Sequence, residues 1–171
     1  MKKMFLLMLL LVGTVVTAGA QKFALVDMEY ILKNIPAYER ANEQLSQISK
    51  KWQAEVEALN NQAQSLYKNY QNELVFLSAE QKKQREQAIL DKEKEASDLK
   101  KKYFSPEGEL YKKRESLIGP IQDEIYVAVK GIAEQRGLAL ILDRASDNGI
   151  VFASPTADIS NEVLAKLGYS K

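Results

Sequence analysis

The sequence predicts a mainly α-helical chain with a small β body, from which a long antiparallel helical hairpin projects. Three observations carry that prediction. Residues 37–105 contain neither glycine nor proline, the two strongest breakers of helix. Within that stretch an apolar stripe recurs at helical spacing. Three short apolar runs lie outside it, at residues 23–26, 138–142 and 149–153.

The chain opens with an address. Lys2 and Lys3 precede an uncharged apolar run, Met4 to Val16, and Ala18-Gly19-Ala20 supplies small residues. This is the three-part pattern of a cleavable signal peptide. Residues 1–20 are expected to be removed after export, leaving Gln21 first. The rival, a membrane anchor, needs about 20 apolar residues, and the run stops short of that.

The first mature element is a strand, Phe23-Ala24-Leu25-Val26, ending at Asp27. Pro36 then precedes a helix from about Tyr38 to Leu77. Its stripe is Leu45, Ile48, Trp52, Val56, Leu59, Ala63, Leu66, Tyr70, Leu74 and Leu77, with a mean step of about 3.56 residues. A narrow stripe of that period suits one partner helix rather than a globular core. Ser78 and Gln81 have the spacing of a capping box and start the returning helix at Ala79. Ser105-Pro106-Glu107 reads as a restart, with Ser105 as cap, and Gly108 softens the same place. Gly119-Pro120 is expected to break the helix again, because a proline ring collides with the carbonyl four residues back. Ile121, Ile125, Val129 and Ile132 lead to a helix end at Gly137.

Leu138 to Leu142 is a second strand and Gly149 to Ala153 a third. Asp147-Asn148-Gly149 suggests that these two form a hairpin. Near-continuous apolar runs imply burial on both faces. Ser160 is expected to cap a closing helix over 161–167, with Ile159 stapled to Leu164. The organisation expected is therefore residues 21–40 plus 119–171 as a β-containing oligomerisation body, and 41–118 as a coiled-coil arm. A body of about 70 residues has a marginal core, and its sheet keeps exposed apolar edges. Pairing between copies answers both problems. The strand residues expected to serve it are Phe23, Leu25, Leu138, Leu140, Leu142, Ile150 and Phe152.

Composition narrows the chemistry. The chain has no histidine and no cysteine, which removes His-based triads, thiol nucleophiles, disulfides and the usual zinc sites. No glycine-rich phosphate loop occurs, so neither ATP nor another cofactor is expected. Asp27 and Asp143 each end a strand. As a pair they suggest acid/base work; as single residues they are ordinary turn and cap formers, and the second reading is preferred. Without its first 20 residues the chain carries 22 basic and 23 acidic side chains, so no field favours nucleic acid. The basic runs Lys100–Lys102 and Lys112–Arg114 offer an anionic lipid surface a contact, against the default of a solvated helix face. Val75, Phe76 and Leu77 at the hairpin turn, with Tyr103 and Phe104 on the returning limb, are candidates for gripping an apolar peptide.

In order, the chain carries a signal peptide, KFALVDMEYIL, Pro36, a charged hairpin, PIQDEIYVAV, GLALILD and DISNEVL. This series resembles the Skp/OmpH family of periplasmic chaperones over essentially the whole mature chain. The resemblance implies a jellyfish-like homotrimer. Strands of three chains would form a central barrel, and three hairpins would hang from it as tentacles. The cavity between them would hold unfolded outer-membrane proteins without ATP. The chain departs from the best-known members, which are strongly basic, in being near neutral. No binding residue is transferred from the family. The function expected is thus an ATP-independent holdase, not an enzyme. The alternative is a coiled-coil structural adaptor of the cell envelope with one defined partner.

Overall fold

The computed structural model describes residues 22–146 and 149–169. The expected signal peptide therefore lies outside the described residues. Strand β1 (Lys22–Val26) pairs in parallel with β2 (Leu138–Asp143), with Phe23 opposite Leu140 and Val26 opposite Asp143. Parallel strands need a crossover connection, and here the crossover is the whole helical excursion.

Asp27 ends β1 and starts helix α1 (Met28–Lys33): its carboxylate accepts the Tyr30 backbone N–H at 2.8 Å. Pro36 then opens helix α2 (Pro36–Glu73), where its missing N–H costs nothing. At about 1.5 Å per residue α2 is roughly 57 Å long. The chain reverses over 74–77, and helix α3 (Ala79–Phe104) begins with the predicted capping box. Ser78 Oγ accepts from the Gln81 N–H while the Gln81 side chain accepts from the Ser78 N–H.

The return limb is interrupted where the sequence marks it, but in a different way. Ser105 closes α3 instead of capping the next helix, its N–H donating to the Lys101 carbonyl at 3.1 Å. Helix α4 (Glu109–Arg136) starts after Gly108. Nor does Gly108 loosen the chain. A Cβ there would lie 2.8 Å from the Tyr103 carbonyl oxygen and 2.9 Å from the Ser105 nitrogen. Glycine is required because the backbone doubles back on itself.

The expected break at Gly119-Pro120 is absent: α4 runs through Pro120. Proline excludes helix from the preceding residue partly by striking its Cβ, and Gly119 has none. Ile118, Ile121 and Ile125 are all buried around the site, so packing offsets the lost hydrogen bond. One helix thus serves both arm and body. It ends at Gly137, whose φ of 64° is the left-handed conformation glycine favours.

The third strand is not formed. Residues 150–153 are irregular, and Val151 and Phe152 are 100% and 85% exposed. A strand needs a partner's hydrogen bonds, and among the described residues no strand pairs with this segment. Residues 147–148 of the expected turn lie outside the described residues. Residues 154–159 cross instead to the outer edge of β1, where the Ile159 N–H donates to the Leu25 carbonyl at 2.9 Å. A single 3-10 turn (Pro155–Ala157) precedes helix α5 (Ser160–Lys166). Ser160 is the first residue of α5 rather than its cap. Its N–H and hydroxyl both donate to Asp158 Oδ1, at 2.8 and 2.6 Å.

The body core is one cluster. Ile31, Ile125, Ile132 and Val163 are almost fully buried, joined by Ala24, Val26, Ile35, Ile118, Ile121, Ile159 and Leu164. Along the arm, beyond Ala41 and Ile118 of the body cluster, the buried seam side chains among the described residues are Val56 and Ala63 of α2 and Ile89 and Ala96 of α3.

Candidate functional site

Exposed apolar side chains gather in two places. At the far end of the hairpin, Val75 and Phe76 are 83% and 85% exposed. The reversal is tight, with the Phe76 N–H donating to the Glu73 carbonyl at 2.9 Å. Five residues between two helices leave no room to turn these side chains inward. Leu77, next to them, is half-buried on the seam. An Arg85–Glu73 ion pair of 3.2 Å and a Tyr70 hydroxyl donating to Glu86 at 2.5 Å hold the two limbs together just behind the tip.

Tyr103 and Phe104 are differently employed. Tyr103 stacks on Trp52 with ring centroids 4.5 Å apart, and its hydroxyl donates to Glu55 at 2.7 Å. That hydrogen bond, followed by loss of hydration, holds the phenol above its ordinary range. Phe104 meets Tyr103 edge-on. These aromatics clamp α3 to α2 just before the return limb is interrupted.

The second gathering is on the body. Of the strand residues named from sequence, Leu25 is buried, with its carbonyl accepting from the closing segment at Ile159. Leu138, Leu142 and Ile150 are half-buried, while Phe23, Leu140 and Phe152 stand exposed. The double-sided burial expected of these runs is thus not present. Tyr126 and Val127 are exposed as well. A concavity of about 390 Å³ between α4 and β2 is lined by Tyr126, Val129, Leu138 and Leu140. Tyr126, Val127 and Val151 were not foreseen. The available signal was that Tyr126 and Val127 fall off the Ile121–Ile125–Val129 stripe of their own helix.

Asp27 and Asp143 do approach one another, but both carboxylates serve the backbone. Asp143 Oδ1 accepts from the Met28 and Ala145 N–H groups at 3.1 and 3.0 Å. Asp27 caps α1 and pairs with Arg144 at 3.1 Å. Arg144 reaches Asp158 at 3.4 Å, and Ser160 Oγ accepts the Asp27 N–H at 2.8 Å. The group is a clasp joining β1, the end of β2 and the start of α5.

The class of structure these residues define is a small parallel body carrying a long two-helix arm, with apolar groups bare on both. The family model described as Outer membrane protein (OmpH-like) matches residues 22–167. The chain belongs to the OmpH-like family. Membership supports a periplasmic, outer-membrane-protein chaperone role in general terms. A search of curated proteins finds no match.

Proposed function

We propose that the protein is an ATP-independent periplasmic holdase, exported by a cleavable signal peptide. It assembles as a homotrimer through its body and encloses unfolded outer-membrane proteins between its arms. The body comprises residues 21–40 and 119–171, the arm 41–118. The observation that carries this reading is the bare apolar tip, Val75-Phe76, at the end of a rod too thin to bury it. Such a tip meets a partner through weak, non-directional contacts. Many weak contacts suit a client that must leave without nucleotide hydrolysis.

Assembly is supported by the β2 edge, which no second strand pairs with among the described residues, and by the bare segment at 150–153. A free edge beside an unpaired apolar segment invites pairing between copies. In this reading the near-neutral charge puts apolar contact ahead of electrostatic capture.

The test is dilution of a urea-unfolded β-barrel protein into buffer, followed by light scattering. The wild-type chain suppresses aggregation, and the double variant Val75→Ser, Phe76→Ser suppresses it less while melting at the same temperature. Absence of suppression by wild type in molar excess overturns the holdase. A solution mass of one chain overturns the assembly.

A further inference from the structure

We propose that the groove beside the interruption at 105–108 is a seat for one large apolar side chain of an extended polypeptide, flanked there by an acidic residue. This deepens the holdase reading and rests on it.

The seam of the arm is built from side chains of α2 facing side chains of the return limb. Beside Leu45, which packs on its inner side against the body cluster, the return limb is interrupted. Helix α3 has ended at Phe104 and α4 does not begin until Glu109. Phe104 and Leu110 stand on either side of the gap, and the space between them is a groove of about 460 Å³. Its floor and walls are apolar: Leu45, Phe104, Pro106 and Leu110. The groove thus opens where the helix-on-helix seam is broken. The tight backbone at Gly108, which admits no side chain, holds the interruption in this shape.

The rim gives the occupant its chemistry. Asn42, Ser46 and Ser49 line one side, on α2. Their side chains make no hydrogen bond to any other described residue, so they are free to serve a peptide backbone. Arg114 stands on the other side, and it makes no ion pair among the described residues. No carboxylate lines the groove. A lone cation at the mouth of an apolar notch favours an occupant with an acidic neighbour. Tyr111, half exposed on the same rim, offers a flat apolar wall. The groove lies on the side of the arm, far along α2 from the tip, so the two contacts are separate.

The experiment uses the full mature chain and a dansylated seven-residue peptide, with a central phenylalanine between two aspartates. Fluorescence anisotropy should show saturable binding. Replacing the peptide's phenylalanine by serine should weaken it about tenfold or more, as expected for one buried aromatic side chain. Ser46→Phe, which fills the groove, should weaken it to a similar degree. Arg114→Glu, on an exposed position, should weaken the aspartate peptide severalfold and strengthen a twin with lysines in place of the aspartates. Circular dichroism checks that both variants remain folded. Equal affinity for phenylalanine and serine peptides, no binding at all, or no effect of either folded variant overturns the seat. The light-scattering assay run beside it separates the two ideas. Suppression of aggregation by wild type without peptide discrimination leaves the holdase standing and removes the groove.

Discussion

Body and arm are built from the same residue types but held by different forces. In the body, β1, α1, α4 and α5 bring Ile31, Ile125, Ile132 and Val163 into one nearly dry cluster, from positions more than 100 residues apart in the chain. In the arm, two long helices share four buried seam residues, and two of those are alanines. The body is therefore held by burial of distant segments. The arm is held by helix propensity, a capping box and a thin seam. Its ion pairs, such as Lys94–Asp98 and Lys92–Glu95, lie on exposed faces and add little each. A rod that needs so little of its own surface for stability leaves the rest to partners.

The sharpest way to break this comparison is to remove the same side chain from each region. Ile125→Ala opens the body cluster and should cost about 3–5 kcal/mol, lowering the melting temperature of the whole chain. Ile89→Ala removes a seam residue that can relax toward solvent and should cost nearer 2 kcal/mol. Hydrogen exchange distinguishes them further. Ile125→Ala should raise exchange in β1, β2 and the arm alike. Ile89→Ala should raise it only in α2 and α3 between the tip and Trp52. If Ile89→Ala unfolds the body as well, arm and body are one cooperative unit and the division fails.

Gly108→Ala probes the junction between the regions. The new methyl would press on backbone atoms 2.8–3.0 Å away, which cannot rotate aside as a side chain end would. A cost of about 1–2 kcal/mol is expected. The Tyr103 carbonyl is one of those atoms, and Tyr103 stacks on the chain's one tryptophan. Trp52 emission should therefore shift in the folded variant. An unchanged spectrum together with unchanged stability would mean that the interruption is loose.

The arm was legible in the sequence because its signals are local. The breaker-free stretch, the stripe from Leu45 to Tyr70 and the Ser78–Gln81 box each act within a few residues, and each appears where it was expected; only the last turn differs, because α2 ends at Glu73 rather than near Leu77 and leaves Leu74 exposed in the reversal. The body was legible only in part, because its elements depend on distant neighbours. Pro120 reads as a breaker, but Gly119 and three buried isoleucines keep it helical. Residues 149–153 read as a strand, but a strand is a property of a pair, and among the described residues no strand pairs with 150–153. Phe23 and Leu140 read as doubly buried, yet a two-stranded sheet has a bare face. The groove at Leu45 was not legible at all. Sequence shows where a helix stops, not what space opens beside the helix across from it.

The smallest effect expected is also the most local. Tyr103 holds its proton to a higher pH than a free phenol because its hydroxyl donates to Glu55 and because it is partly withdrawn from water. The neutral phenol is the form that binds the carboxylate; the phenolate would repel it. With the folded value raised, the stabilisation is complete below the unfolded phenol's value of about 10. It is lost as pH rises through the folded one. The Tyr70–Glu86 bond at the other end of the hairpin has the same sign. Raising the pH from 8 to 12 should therefore loosen the arm from both of its clamps. Loss of the Trp52–Tyr103 stack should appear in the tryptophan emission. Tyr103→Phe keeps the stack and deletes the proton. It should shift stability only slightly at pH 8 and flatten the part of the profile that Trp52 reports. A variant whose emission follows the same alkaline curve as wild type would show that Glu55 and Tyr103 do not couple the two helices. The clamp beside the groove would then be the ring stack alone.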